Sequence, residues 1–220
     1  MRILVTSATV QETLLSYNKI QSSSTWAKKG LQIKFACTGI GMLATAINTA
    51  KLIANNPPNL IIQAGIAGAF NTVDKLSNVV LVEHEIIGDL GVEENGEWKD
   101  LFDMKFQQPN TFPYKKKKLT NPYIHSLNKL QLPIVTAVTV NEITTNSNRI
   151  ELLQKKYNPA IETMEGAALH YIALDAKIPF LQIRSLSNYM GERDKTKWHL
   201  QKSIEQLNKI LLKLLTKLAE

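Results

Sequence analysis

The sequence predicts an α/β protein, because short apolar runs alternate along the chain with segments of helical periodicity. The runs are nearly continuous in hydrophobicity, which is typical of strands that are covered on both faces of a sheet. They predict strands over Ile3–Ser7, Leu31–Cys37, Leu60–Ala64, Val79–Val82, Ile134–Val140 and Phe180–Ile183. Helical patterns occupy Met42–Asn55, Ile150–Tyr157, Glu165–Ala176 and Thr196–Ala219. A chain of 220 residues is long enough for one such domain and too short for two, so residues 1–220 are interpreted as a single domain.

Two segments need separate interpretation. The C-terminal segment 196–219 carries apolar residues at 204, 207, 211, 214, 215 and 218, which form one face of a helix, and Asp194 or Thr196 is the candidate cap. Residues 88–118 are polar, contain glycines, prolines and several aromatics, and predict a loop-rich excursion with a short hairpin between two core strands. Excursions of this kind often help to build a binding site.

Composition excludes several classes of function. The net charge is +7, but the basic residues are dispersed apart from the C-terminal helix and the run Lys115–Lys118, for which a solvated loop is the simplest interpretation. No aromatics are interleaved with these lysines, so nucleic-acid binding is not expected. No apolar run approaches the roughly 20 residues that cross a bilayer, and the N-terminus does not resemble a signal peptide. A single cysteine, Cys37, excludes an internal disulfide, and we expect a cytoplasmic protein.

Two glycine clusters follow predicted strands. Thr38-Gly39-Ile40-Gly41 precedes a predicted helix, and Gly65-Ile66-Ala67-Gly68 follows the strand Leu60–Ala64. Glycines at strand ends let the backbone approach a ligand, although each cluster alone is more typical of a tight structural turn. Neither matches the dinucleotide-binding or Walker pattern. Together they predict backbone donors at the carboxyl ends of neighbouring strands, where ligands bind in open α/β sheets.

Three polar residues at strand ends are candidates for chemistry. Glu12 follows the first strand, so its carboxylate is a candidate general base or an ordinary first-turn helix glutamate. Met164 and Glu165 open a small-residue helix. Glu165 is suited either to accept hydrogen bonds from both ribose hydroxyls or to cap the helix. Met164 is suited either to contact the sugar or to fill the core. Asn188, in Arg184-Ser-Leu-Ser-Asn188, is a candidate base contact or a turn residue.

The histidines give no sign of a metal site. His84, His125, His170 and His199 lie far apart without metal-ligand spacing, so we predict no metal.

These motifs, taken in order, resemble the nucleoside phosphorylase and nucleosidase superfamily. The matching features are Glu12, the Thr38–Gly41 turn, Gly65–Gly68, the Met164-Glu165 pair and Arg184-x-x-Ser187-Asn188, which span residues 3 to 198. The resemblance implies a three-layer α/β/α phosphorylase/hydrolase-like fold with a central mixed sheet. It also implies that Thr38, Gly39 and Gly65 contact the substrate and that no cofactor is needed.

The pattern departs from the bacterial methylthioadenosine/adenosylhomocysteine nucleosidases at one position. In that subfamily the residue matching Glu12 activates water, the residue matching Glu165 holds the ribose, and an aspartate in place of Asn188 protonates N7 of adenine. Asparagine is not an acid, but its amide can donate to the N7 and O6 acceptors of a 6-oxopurine. An unpaired polar group costs about 1–3 kcal/mol, so one such residue discriminates between the two bases.

Further stretches are similar to the futalosine hydrolases, which release hypoxanthine from futalosine in menaquinone synthesis. These are Gly88-Asp-Leu-Gly91 with Phe112-Pro113, Val138-Thr-Val140-Asn141, and Ser187–Asp194 with Trp198. The resemblance implies that Val140 and Asn141 flank the base. It implies a cation for the carboxylate tail of futalosine, for which Arg193 is a candidate unless it pairs with Glu192 or Asp194.

In relatives, an aromatic from a second subunit closes the pocket around the 5′ end of the ribose. Phe102 and Phe106 are both candidates, so a homodimer is expected. Three alternatives stay open at this stage: a methylthioadenosine/adenosylhomocysteine nucleosidase, a nucleoside phosphorylase, and a nucleoside-binding protein without activity. Phosphorylases use arginines near the glycine turns to hold phosphate, and no arginine lies between Arg2 and Arg149.

Overall fold

A computed structural model of the chain describes residues 1–23, 26, 30–72 and 74–219. The strands are β1 (Arg2–Ser7), β2 (Gln32–Cys37), β3 (Leu60–Ala69), β4 (Val79–Ile87), β5 (Gly91–Glu94), β6 (Glu97–Asp100), β7 (Tyr114–Lys115), β8 (Lys118–Thr120), β9 (Ile134–Thr139), β10 (Ile161–Thr163) and β11 (Phe180–Tyr189). The helices are α1 (Val10–Gln21), α2 (Met42–Asn55), α3 (Ile124–Leu127), α4 (Ser147–Tyr157), α5 (Gly166–Asp175) and α6 (Leu200–Leu218), and a 3₁₀ turn spans Lys195–Lys197.

The strands form one large mixed sheet. Its order is β2-β1-β3-β10-β9-β4-β8-β7, and β11 pairs in parallel with β3 and antiparallel with β4. Because β10 joins β3 to β9, the strands β3, β11, β4, β9 and β10 close into a ring. The long strand β3 therefore pairs with β1 and β11 through its first half and with β10 and β11 through its second.

Helices cover both faces of the sheet, as the predicted three-layer fold requires. On one face, leucines of α6 such as Leu211 pack against Val5 and Ile62, and α6 also lies against α1. On the opposite face, Leu169 of α5 packs against Leu4 and the neighbouring strand residues, and α5 contacts α2. Alternate residues of β1 and β3 thus enter different cores, which is why these strands are apolar at nearly every position.

Most predicted elements are confirmed, with shifts at their ends. Helix α2 has the predicted limits, whereas α4 begins earlier than expected because Asn146 accepts hydrogen bonds from the backbone N–H groups of Asn148 and Arg149. The C-terminal helix begins at Leu200 instead of residue 196. Asp194 caps the short 3₁₀ turn that precedes it, and Trp198 between them has extended backbone.

Two predictions about strand ends were wrong. Gly65–Gly68 is not a turn after a strand, because β3 continues to Ala69, and Arg184–Asn188 lies inside β11. Their ladder partners explain the extension, since Arg184 pairs with Gly65 and Asn188 with Gly68 along the β3–β11 interface. Backbone pairing across the sheet outweighed the glycines' weak strand propensity.

The excursion 88–118 contains the predicted hairpin. Strands β5 and β6 form a separate two-stranded sheet, and β7 with β8 returns the chain to the edge of the large sheet. Among the described residues, no helix combines the length and apolarity needed to cross a membrane.

Candidate active site

A cavity of about 360 Å³ opens beside the carboxyl end of β1 and the second half of β3. Its wall includes five residues singled out from the sequence: Glu12, Met164, Glu165, Asn188 and Arg193. They come from the start of α1, the β10–α5 junction, the end of β11 and the loop after it. The fold therefore assembles residues that are up to about 180 positions apart in sequence around one concave surface, which is the usual form of a small-molecule site.

Glu12 lies in the first turn of α1 but is buried, with 6% of its surface exposed. One carboxylate oxygen, Oε2, accepts hydrogen bonds from the backbone N–H of Thr9 at 2.8 Å and from its hydroxyl at 3.2 Å. The other, Oε1, accepts from the backbone N–H of Ile66 on β3 at 3.2 Å. Glu12 therefore completes a capping box at the start of α1, as a first-turn helix glutamate does, but it is buried instead of exposed and is also tied to β3 at the cavity edge.

Glu165 stands at the turn between β10 and α5 and is also buried. Its side chain makes no capping bond to its own helix. Instead Oε1 accepts from the backbone N–H of Gly41 at 3.2 Å, and Oε2 accepts from Nη1 of Arg184 at 3.4 Å. Each oxygen retains a lone pair, so the carboxylate can accept further bonds from a ligand's hydroxyl groups.

Arg184 pairs with the Glu165 carboxylate, a role that sequence reasoning did not assign to it. Its side chain is 1% exposed, and Nη2 donates to Oε1 of Gln63 at 2.6 Å. A Cβ placed on Gly65 would collide with Nη1 of Arg184 and would lie 2.9 Å from Oε1 of Glu12. Gly65 is therefore required because a nitrogen of the guanidinium and an oxygen of the Glu12 carboxylate both lie close to the place that a Cβ would occupy. The sequence signal that could have found this role is an arginine directly after the apolar strand run Phe180–Ile183, since an arginine buried there needs a partner.

The turn before α2 positions a backbone donor and contributes only Ile40 to the cavity wall. Gly39 and Gly41 both have φ of 87°, which favours glycine. Thr38 is buried and its hydroxyl donates to the carbonyl of Ser7 at 3.2 Å, which ties the turn to the end of β1. Thr38 and Gly39 are absent from the cavity wall, and their effect is to bring Gly41 N–H to Glu165.

The Asn188 amide has a defined orientation. Its carbonyl oxygen Oδ1 accepts from the Ser187 hydroxyl at 2.8 Å, and Nδ2 donates to the carbonyl of Tyr189 at 3.1 Å. One N–H of the amide then remains for a ligand. The side chain therefore offers a hydrogen-bond donor to the cavity.

Arg193 is the only cation among the described residues of the cavity wall. Its guanidinium carbon lies 5.9 Å from the ring centre of Trp198, which also lines the cavity. The acidic neighbours are engaged elsewhere: Glu192 pairs with Lys197 at 2.9 Å, and Asp194 accepts from Thr196. The surface pairing of Arg193 with these two residues is thus not formed, and its guanidinium is free to meet an anion.

Val140 and Asn141 lie outside this cavity. Both line an adjoining cleft of about 870 Å³, which shares residues 143–145 with it. Val140 is buried in a core with Val138 and Leu153, and the backbone N–H of Asn141 donates to Asp89 at 2.5 Å. In this conformation segment 143–145 separates them from the cavity.

A second buried carboxylate group lies beneath the site. Glu85 is fully buried and accepts from Nε2 of Gln182 at 2.8 Å and from the Thr139 hydroxyl at 2.8 Å. No cation in the described part of the chain contacts it, and burial raises the pKa of Glu85 to about 7. His170, also fully buried, donates from Nδ1 to the carbonyl of Leu119, and burial lowers the pKa of His170 to about 3. We call Glu85, Gln182 and His170 the sealed group, and Glu12, Glu165 and Arg184 the cavity cluster.

Comparisons with known proteins agree with this architecture. A family model described as Phosphorylase superfamily matches residues 20–216. The chain is 28% identical over 195 residues to a futalosine hydrolase of Thermus thermophilus, covering 85% of this chain and 83% of that protein. It is 25% identical over 210 residues to a 5′-methylthioadenosine/S-adenosylhomocysteine nucleosidase of Bacillus subtilis, covering 87% of each. A solved futalosine hydrolase mutant of Helicobacter pylori has a TM-score of 0.81 at 15% identity and covers 99% of both chains, which confirms the fold.

Proposed function

Because the chain belongs to the phosphorylase superfamily, we propose that it is an N-glycosyl hydrolase that releases hypoxanthine from futalosine. Hydrolysis is supported by relatives that are named nucleosidases and hydrolases. Two of them have similar identity to this chain but are named for different nucleosides, so identity alone does not choose the base. The observation that carries the choice is the Asn188 amide on the cavity wall, whose carbonyl accepts from Ser187 and whose NH2 uses only one of its two hydrogens, toward Tyr189.

The amide suits a 6-oxopurine. Hypoxanthine presents two acceptors, N7 and O6, on the edge where adenine presents N7 and an amino donor. An amide N–H stabilises the negative charge that develops on a departing 6-oxopurine without transferring a proton. Asn188 is not acidic and so cannot deliver a proton to N7 of adenine.

The cavity cluster supplies what the sugar requires. As the C1′–N9 bond breaks, its electron pair leaves with the base and the ribosyl group gains positive charge. The Glu12 carboxylate and the Glu165–Arg184 ion pair together carry a net negative charge, which stabilises that cation. Glu165 accepts hydrogen bonds from the ribose hydroxyls, and Met164 contacts the sugar. Glu12 takes a proton from the attacking water, whose oxygen forms the new bond to C1′. The hypoxanthine anion then takes a proton from solvent.

Water is favoured over phosphate as the nucleophile. The backbone N–H of Ile66, which could hold an oxygen of phosphate, already donates to the Glu12 carboxylate. A phosphate at this point would face the negative charge of Glu12 at close range. The only cavity cation, Arg193, lies in the loop after β11 and not beside Glu12 among the described contacts.

The proposal extends to the tail of the substrate and to assembly. Arg193 binds the carboxylate of the futalosine tail, and a second copy of the chain completes the pocket. Of the two candidate aromatics, Phe102 packs on Tyr114, whereas Phe106 is 77% exposed and is available to a partner. We expect light scattering to give the mass of a dimer and Phe106→Ala to raise KM. A monomer with full activity would exclude this part of the proposal.

One experiment tests the proposed reaction directly. The purified protein is incubated with futalosine, inosine and methylthioadenosine, with and without phosphate, and the products are separated by chromatography. We expect hypoxanthine from futalosine at a rate that does not depend on phosphate, and the cleaved product would place the chain in menaquinone synthesis. Faster release of adenine from methylthioadenosine would favour the adenine-specific alternative, and strict dependence on phosphate would favour a phosphorylase.

A further inference from the structure

The guanidinium of Arg184 has an anchor that the mechanism above does not use. Gln63 on β3 is 1% exposed, and its Oε1 accepts from Nη2 of Arg184 at 2.6 Å. The contacts of the other terminal nitrogen, Nη1, are longer: 3.3 Å to the carbonyl of Ile66 and 3.4 Å to Oε2 of Glu165. Hydrogen bonds weaken with distance, so Gln63 makes the closest contact of the guanidinium in the described part of the chain.

Two contacts are needed to fix the plane of this guanidinium. An arginine side chain is a long, flexible stem that carries a planar fork of N–H donors. Nε of Arg184 has no hydrogen-bond partner among the described residues, so only Nη1 and Nη2 hold the fork. Without the bond between Nη2 and Gln63, the fork is free to turn, and its contact with Glu165 is no longer fixed.

The sheet register explains why Gln63 reaches Arg184. On the neighbouring strands β3 and β11, Gln63 pairs with Gln182. Two residues along the same strands, Gly65 pairs with Arg184. Residues two apart on a strand face the same side of the sheet, and diagonal neighbours on adjacent strands lie within reach of long side chains. Because Gly65 has no side chain, the guanidinium lies across β3 at the place that a Cβ would occupy, beside the amide of Gln63.

Packing alone does not explain a glutamine at this position. Strand β3 is apolar around it, and the flanking residues Ile62 and Ala64 are completely buried. Nε2 of Gln63 has no hydrogen-bond partner in the part of the chain that the structure describes, and a buried N–H group left unpaired is costly. An aliphatic side chain would avoid that cost. The carbonyl end of the amide and its bond to Arg184 therefore account for the residue.

We propose that Gln63 is a positioning residue for the ribose, because it holds the Arg184 guanidinium so that Nη1 stays on Oε2 of Glu165. The inference rests on the proposed function, since it assumes that Glu165 accepts hydrogen bonds from the ribose hydroxyls. Gln63 is not among the described residues that line the cavity, so it acts on the substrate only through Arg184 and Glu165. When the guanidinium turns away, the carboxylate loses its fixed orientation and holds the hydroxyls less tightly. The effect of Gln63 on turnover therefore depends on those hydroxyls.

The test compares inosine with 2′-deoxyinosine, which lacks one of the two hydroxyls. In Gln63→Met the side chain keeps its length but loses the acceptor for Nη2. Gln63→Asn keeps an amide in the sheet and withdraws its oxygen by one methylene, so it gives the same readout if Gln63→Met does not fold. For each protein, kcat/KM is measured for both nucleosides, together with the melting temperature.

Gln182→Met is the matched control. Gln182 is as deeply buried as Gln63 and lies in register with it on β11. Its Nε2 donates to Glu85 of the sealed group at 2.8 Å, and it has no described contact with Arg184. The control therefore repeats the structural disturbance of losing a buried amide without touching the cavity cluster.

We expect the ratio of kcat/KM for inosine to kcat/KM for 2′-deoxyinosine to fall by about tenfold in Gln63→Met, since a hydrogen bond to a charged group is worth this much. The ratio should fall less in Gln63→Asn and stay at the wild-type value in Gln182→Met, although the melting temperature of that control falls. An unchanged ratio in the Gln63 variants that fold, or an equal fall in Gln182→Met, would overturn the inference. A wild type that releases hypoxanthine from neither inosine nor futalosine would instead refute the proposed function, and the positioning role with it.

Discussion

The cavity cluster and the sealed group use the same side-chain types in opposite surroundings. Glu12 and Glu165 are buried at the edge of a cavity and receive backbone N–H bonds, and Glu165 also pairs with the guanidinium of Arg184. Glu85 is buried deeper, receives only neutral donors and does not line the cavity. A buried carboxylate needs a compensating charge or a proton, and each group has adopted one of these solutions.

The difference separates chemistry from architecture. A carboxylate held by a cation and facing a cavity keeps lone pairs for a substrate, whereas one that tends to hold a proton serves as a neutral hydrogen-bonding group inside the fold. Glu85 packs against the start of α5, where a Cβ on Gly166 would collide with its carboxylate. The sealed group is therefore expected to govern stability and the cavity cluster turnover, and the following variants test that division.

The largest effect is expected for Glu12→Gln. Removal of the proposed general base should lower kcat by about 10³-fold. The amide disturbs the bond to the Thr9 N–H, so the free energy of unfolding should fall by only about 1 kcal/mol. Steady-state kinetics and urea unfolding measure the two quantities. Normal turnover in this variant would refute the role of Glu12 and with it the division between the groups.

Glu85→Gln should show the reverse behaviour. The pKa of Glu85 is raised to about 7 in the folded protein from an ordinary value of 4.5, so the unfolded chain ionises first as pH rises. Wild-type stability therefore falls between pH 4.5 and 7 by about 3 kcal/mol through this group, and the variant lacks that slope. The free energies of unfolding of variant and wild type are measured with urea at pH 5 and pH 8. Between these pH values, the variant should gain about this amount of stability relative to the wild type. A constant difference, or a loss of kcat like that of Glu12→Gln, would contradict the assignment.

His170→Asn should give a pH dependence of the opposite sign. The pKa of His170 is lowered to about 3 by burial, whereas the unfolded chain binds a proton near pH 6.5. The wild type therefore loses stability as pH falls through this window, by about 2 kcal/mol between pH 6.5 and 4.5, and the asparagine variant does not. On acidification, the free energy of unfolding of the variant should therefore rise relative to that of the wild type. Parallel curves over that range would show that His170 is protonated in the folded state.

Asn188→Asp concerns only the cavity wall. The kcat/KM for futalosine should fall and that for methylthioadenosine should rise, which changes their ratio by roughly 10- to 100-fold. The pH dependence of stability set by the sealed group should remain as in the wild type. An unaltered ratio would remove the basis for assigning a 6-oxopurine.

The smallest effect is expected for Arg193→Gln. Loss of an exposed cation should raise KM for futalosine by about tenfold and leave inosine, which lacks the carboxylate tail, unaffected. Lys195→Gln is the matched control, because Lys195 is an exposed cation outside the cavity wall. Equal changes in KM for both substrates, or the same change in Lys195→Gln, would exclude recognition of the tail by Arg193.

Much of this arrangement could be predicted from local pattern. Apolar runs and helical periodicity located the central strands and helix α2, because burial on both faces imposes continuous hydrophobicity. The positions of Glu12 and Glu165 at strand–helix junctions placed them at one edge of the sheet. The continuation of β3 through Gly65 and Gly68 was not predictable in this way, since its ladder partners lie more than 100 residues away in β11.

By itself, the sequence determined the alternation of strands and helices and the types of side chain available for chemistry, because both follow from short-range pattern and residue identity. Only the tertiary structure decided which charges compensate each other. Arg184 reaches Glu165 at 3.4 Å, while Glu85 meets only neutral donors. Gly65 lies beside Arg184, and Gly68 beside Asn188, only because β3 pairs with β11. The physical reason is that hydrogen bonds and ion pairs act over a few ångströms, and distances of that size between distant segments exist only after the sheet has closed.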